Sequence, residues 1–124
     1  MKYKCIVIDD DFVISNAVKV LCKSINEIEC LGTFNSPING LKYIDKNNID
    51  LIFLDVVLPM TSGYEFLSKL PNSVKVIMMS GFNLQGKVTP NVVDFLRKPL
   101  EQKRFETAVK RFLDEKDKST LLNN

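Results

Sequence analysis

Five short apolar runs alternate along the chain with segments whose apolar residues recur every three or four positions. The runs cover residues 4–8, 28–34, 50–54, 74–79 and 92–96 and are too short for helices, so they read as strands. After the first run, Ile14, Ala17, Val18, Leu21 and Ile25 fall at helical spacing. Ser36-Pro37 then reads as an N-cap followed by proline at the first helical position, with Ile38, Leu41 and Ile44 turned inward. A short third helix carries Phe66, Leu67 and Leu70 and stops at Pro71. A last helix starts near Glu101 and buries Phe105, Ala108, Val109, Phe112 and Leu113. Between Phe82 and Asn91 the pattern weakens around Gly86, Val88-Thr89 and Pro90, which predicts a short or irregular fourth helix.

Strands alternating with helices imply right-handed βαβ units and a parallel sheet. Near-continuous apolar strands imply a sheet covered on both faces. The expected architecture is α/β: a doubly wound, five-stranded parallel sheet in the flavodoxin-like order 2-1-3-4-5. In that order the first and third strands are neighbours, and all strand ends share one edge, where ligands of open α/β sheets bind.

The residues at that edge carry chemistry. Asp9 and Asp10 follow the first run, Asp55 the third, Ser80 the fourth and the pair Lys98-Pro99 the fifth. Each has an ordinary explanation alone: Asp9, Asp10 and Asp11 as helix-capping acids, Asp11 above all; Asp55 in a turn; Ser80 as a strand terminator; Lys98 on the surface. Their coincidence at one edge points to function. Three carboxylates in one crevice repel one another, and a hard divalent cation such as Mg2+ removes the conflict. A hydroxyl and an ammonium beside them suit a phosphoryl group, with one carboxylate as acceptor. Pro99 permits a cis bond that would turn Lys98 back over the strand ends.

Composition narrows the classes. A chain of 124 residues is one domain of ordinary size, able to bury a core without staples. The net charge of +2 leaves no electrostatic footprint for nucleic acid. Cys5, Cys22 and Cys30 form no Cys-x-x-Cys pair, and the chain has no histidine, so a zinc set is excluded and the three read as reduced, buried small hydrophobes. The start is not a signal peptide, and no apolar stretch approaches the roughly 20 residues of a membrane span. A cytoplasmic protein is expected. Residues 1–115 read as the folded domain and 116–124 as a polar tail or the start of a linker.

Ile8-Asp9-Asp10-Asp11, Asp55-Val56-Val57-Leu58-Pro59 with Ser62-Gly63, Met79-Ser80-Gly81 and Asp94-Phe95-Leu96-Arg97-Lys98-Pro99 together resemble the receiver domain of a two-component response regulator, over about residues 3 to 113. Leu31 to Asn35, Val92 to Leu96 and Arg104-Phe105 to Phe112 are similar to receivers of LytTR-type transcriptional regulators. The resemblance implies that Asp55 accepts a phosphoryl group, and that Asp10, Asp55 and the Val57 carbonyl bind Mg2+, with Asp9 acting through water. It implies that Ser80 and Lys98 contact the phosphoryl group, and that Phe95 repacks when Ser80 moves. A sensor histidine kinase and a possible homodimer would be partners, and DNA would be reached only through a further domain absent from this chain. Gly81 stands where the family usually has a small residue such as alanine, the segment from Ser80 to Phe95 is shorter than usual, and Phe95 lacks a tyrosine hydroxyl. Two other readings are a phosphohydrolase of the haloacid dehalogenase type, suggested by Asp9-x-Asp11, and a receiver-like interaction module that is never phosphorylated.

Overall fold

The computed structural model describes residues 2–82 and 89–122. Its elements are β1 (Tyr3–Ile8), α1 (Phe12–Cys22), β2 (Ile28–Phe34), α2 (Pro37–Lys46), β3 (Leu51–Asp55), β4 (Val57–Leu58), β5 (Thr61–Ser62), α3 (Gly63–Leu67), β6 (Lys75–Ser80), β7 (Val92–Arg97) and α4 (Gln102–Leu122). Five strands form one parallel sheet in the order β2-β1-β3-β6-β7, as expected.

The helices begin where short polar side chains satisfy free amides. Asp11 Oδ1 accepts from the Val13 N–H at 2.9 Å, Ser36 Oγ from Asn39 at 3.2 Å and Ser62 Oγ from Glu65 at 3.1 Å. Period-two alternation then divides the apolar strand residues between two cores. Ile6, Ile8, Ile52, Leu54, Val76 and Met78 meet Ile44 of α2 and Phe66 and Leu67 of α3 on one face. Cys5, Val7, Leu51, Phe53, Ile77 and Met79 meet Val18 and Cys22 of α1 and Phe105, Ala108, Val109 and Phe112 of α4 on the other. Phe53 and Phe105 stack at 5.1 Å across that second core. Each such side chain contributes about 1.5–3 kcal/mol on burial, so the two apolar layers hold the sheet.

Three expectations change. Ile38 is 65% exposed, because six residues of helix rotate it about 120° away from Ile44, and Gly40 faces the sheet instead. Cys30 is only partly buried, since β2 is an edge strand, whereas Cys5 and Cys22 are buried. The polar tail expected from residue 116 is helical to Leu122. Lys110 pairs with Asp114 at 3.3 Å, Glu115 with Lys75 at 3.9 Å, and the Lys116 ammonium lies 5.9 Å from the Tyr3 ring and 5.8 Å from Phe112, so polar side chains anchor the extra turns. A two-stranded antiparallel hairpin, β4-β5, fills the connection between β3 and α3. The weak fourth helix falls mainly on residues 83–88, outside the described residues.

Candidate functional site

All four predicted strand ends meet at one edge of the sheet. Asp9 follows β1 and is 1% exposed, whereas Asp10 beside it is exposed. Asp55 and Ser80 are the last residues of β3 and β6, and both are buried. Lys98 follows β7. Its backbone N–H donates to the Ser80 carbonyl at 2.7 Å, and its bond to Pro99 is cis.

Lys98 lies between two of the acids. Its Nζ is 2.8 Å from Asp9 Oδ2 and 3.4 Å from Asp55 Oδ1. The closer partner is Asp9, which the sequence did not indicate. Asp9 Oδ1 accepts from the Asp11 N–H at 2.8 Å, and Asp55 Oδ1 from the Val57 N–H at 3.2 Å. Asp9 Oδ2 is a buried oxygen without an aligned hydrogen bond despite its ion pair.

Three carboxylates, Asp9, Asp10 and Asp55, each place one oxygen within 4.8 Å of the others. Hard cations take oxygen donors of this kind, and the buried, under-bonded Asp9 oxygen supplies a lone pair for one. The donor set therefore fits a divalent cation. Burial, with the Asp9 charge beside it, pushes the Asp55 carboxyl up to about 6, against the Val57 amide and Lys98. Burial also works against the Lys98 charge, but its contacts with Asp9 and Asp55 prevail and raise its pKa.

The backbone is shaped around Asp55. At Gly63 an added Cβ would stand 2.6 Å from the Asp55 carbonyl oxygen and 3.0 Å from Val56 Cα, so only glycine lets α3 start so close to the end of β3. Ser80 Oγ accepts from the Phe82 N–H at 3.1 Å, which leaves its own hydrogen free to donate elsewhere.

A second charged group, in the middle of β7, has no role assigned from the sequence. Asp94, buried in β7, receives Arg104 on both oxygens at 2.7 Å and Arg111 at 3.0 Å. Asp94 Oδ1 also accepts from the Phe95 N–H at 2.8 Å, and Arg104 Nη2 donates to the Phe95 carbonyl at 2.8 Å. The Phe95 backbone is thereby clamped to α4, while its partly buried ring packs toward the α2-α3 core. Burial alone would raise the Asp94 pKa, but Arg104, the Phe95 amide and Arg111 lower it. A charged residue inside an apolar strand was the available signal.

Comparison with known proteins gives the family and the fold. The family model described as "Response regulator receiver domain" matches residues 5–110. An uncharacterized response regulatory protein of Vibrio cholerae is 33% identical over 92% of this chain and 50% of its own length. The sensory transduction protein LytT of Bacillus anthracis is 25% identical over 91% of this chain and 48% of its own. This chain thus spans about half the length of these relatives. A CheY-like receiver domain from Methylobacillus flagellatus superposes with a TM-score of 0.78, at 21% identity, over 90% of this chain and 99% of that one.

Proposed function

Because this chain belongs to the response regulator receiver family, we propose that it is a switch in which Asp55 takes a phosphoryl group from a sensor histidine kinase. The observation that carries the reading is the meeting of Asp9, Asp10 and Asp55 at one sheet edge, with the Lys98 ammonium against Asp9 and Asp55. An Asp55 carboxylate oxygen would form the new P–O bond while the bond from phosphorus to the donor breaks, its electron pair leaving with the donor. Bound Mg2+, held by Asp10, Asp55 and the Val57 carbonyl with Asp9 beside it, would neutralise charge on the phosphoryl oxygens.

The protein's own groups do the rest. The two carboxylates around Lys98 hold it charged and poised to meet the incoming phosphoryl oxygens. Ser80 donates its free hydroxyl hydrogen to one of those oxygens. Its shift toward Asp55 vacates space that the Phe95 ring fills, with the Phe95 backbone fixed by Arg104. The output reached through this switch is transcription, in line with the resemblance of Leu31 to Asn35 and Val92 to Leu96 to receivers of LytTR-type transcriptional regulators. DNA contact belongs to a further domain, and a homodimer is one way to carry the signal. Residues up to 115 form the switch, and the last turns of α4 start the connection onward. The role is signalling in the cytoplasm rather than turnover of a substrate. Among the described residues no helix is long and apolar enough to cross a membrane.

Acetyl phosphate with Mg2+ tests the reading. Intact mass should rise by one phosphate, and Asp55→Asn should abolish the rise. An equal rise in the mutant would refute the acceptor. Steady release of phosphate from many phosphomonoesters would indicate a hydrolase, and no reaction by any donor an unphosphorylated interaction module.

A further inference from the structure

The three thiols form a cluster that the acid crevice does not use. Cys5 in β1 and Cys30 in β2 are register partners on adjacent parallel strands, so both side chains rise from the same sheet face. Cys22, the last residue of α1, comes down on that face with its Sγ 3.9 Å from Cys5 Sγ. Cys22 and Cys30 line one groove together with Lys2, Lys19 and Lys23, and the Cys30 Sγ lies 3.7 Å from the Gly32 carbonyl oxygen. Cys5 and Cys22 are 0% and 3% exposed, whereas Cys30 is open to solvent through the groove.

These positions give the thiols different chemistry. A thiolate is the reactive form, and it is favoured where cations and donors surround a partly exposed sulfur. Cys30 has that environment. Hydrogen bonds from Cys22 and Cys5, with the Lys19 charge nearby, lower its pKa against the effect of burial. Cys5 is pushed the other way by both neighbouring sulfurs and then by burial, and Cys22 by Cys30 and burial against the opposing effect of Cys5.

We propose that Cys30 is a modification site for hydroperoxides, and that Cys22 resolves the oxidised sulfur into an intramolecular Cys22–Cys30 disulfide. The Cys30 thiolate attacks one peroxide oxygen, and the O–O bond breaks. The second oxygen leaves as an alcohol, or as water from hydrogen peroxide, and Cys30 becomes a sulfenic acid. The Cys22 sulfur then attacks the Cys30 sulfur. The S–O bond breaks, and hydroxide leaves with the Cys22 proton as water. Two thiols and one hydroperoxide give one disulfide, one alcohol and one water, with two electrons passing from sulfur to peroxide. The bridge ties the last residue of α1 to the edge strand β2, across the molecule from Asp55.

The reduced full chain is treated with hydrogen peroxide in native buffer, and its peptides are mapped by mass spectrometry. The expected product is a Cys22–Cys30 linked peptide, two hydrogens lighter than its parts and restored by dithiothreitol. Dimedone present during oxidation should label Cys30 alone. Cys22→Ser should stop at labelled Cys30 with no bridge, and Cys30→Ser should show neither label nor bridge. If a variant folds poorly by circular dichroism, the wild-type dimedone map still decides. Label on Cys5 or Cys22, a bridge formed in Cys30→Ser, bridges only between chains, or thiols no more reactive than free cysteine would each overturn the proposal.

Discussion

Gly63 and Gly81 flank the same crevice and obey opposite constraints. A Cβ on Gly63 would press on the Asp55 carbonyl and Val56 Cα, backbone atoms that cannot rotate aside, whereas a Cβ on Gly81 meets nothing within 4 Å among the described residues. Gly63→Ala should therefore cost about 1–3 kcal/mol in urea unfolding. Gly81→Ala should leave stability unchanged or raise it by about 0.5 kcal/mol, because it restricts only the unfolded chain. Asp55 supplies a pH signature. Its carboxyl is raised from 3.8 to about 6 in the fold, so between those values the native state binds the extra proton. Without cation, its contribution to stability falls as pH rises through 6 and recovers as pH falls toward 4. Asp55→Asn should thus stabilise the cation-free protein by about 2–3 kcal/mol at pH 7, and the gain should vanish near pH 4 in denaturation series.

At the scale of elements, β7 and α4 are joined by charge as well as by apolar packing. Asp94 is a buried carboxylate whose partners Arg104 and Arg111 are 41% and 57% exposed, so water partly compensates the arginines but not the acid. Removing one partner of a fully buried pair costs about 3–5 kcal/mol, and solvent access to these arginines lowers the expectation for Asp94→Asn to about 1–2 kcal/mol at pH 7. The sign is opposite to that of Asp55. The folded Asp94 pKa is depressed, so its stabilisation is full above the ordinary carboxylate value and is lost as pH falls through the lower, folded one. Wild type and Asp94→Asn should differ at pH 7 and converge in strong acid. Urea midpoints across that range, at constant salt, are the measurement.

For the whole molecule, the acid crevice couples ligand binding to folding. The three carboxylates converge only in the native sheet, because β1 and β3 bring Asp9, Asp10 and Asp55 together from distant parts of the chain. Mg2+ should raise the melting temperature, with about 2.7 kcal/mol of added stability at a hundredfold excess over its dissociation constant. Asp10 is exposed and outside both cores, so Asp10→Ala should keep the fold and remove the Mg2+ dependence. Equal responses in wild type and mutant, read from melts with and without Mg2+, would exclude Asp10 as a ligand.

The five strands of the parallel sheet, the starts of α1, α2 and α4 and the strand-end residues were legible because each follows from local chemistry. Apolar runs, caps such as Ser36-Pro37 and the position of a carboxylate after a run need no distant partner to be read. Tertiary structure decided the pairings. Lys98 lies nearer Asp9 than Asp55, although β3 stands closer to β7 than β1 does in the sheet, so no strand order alone foretells the pairing. Asp94 became a clamp because α4 returns along β7 and carries Arg104 and Arg111 to it. The polar residues after Leu113 stay helical because Tyr3, Phe112 and Lys75 offer them partners. The cysteines converge through strand register and the end of α1. Alternation and capping are properties of neighbouring residues, whereas an ion pair or a thiol contact depends on how two distant segments share space.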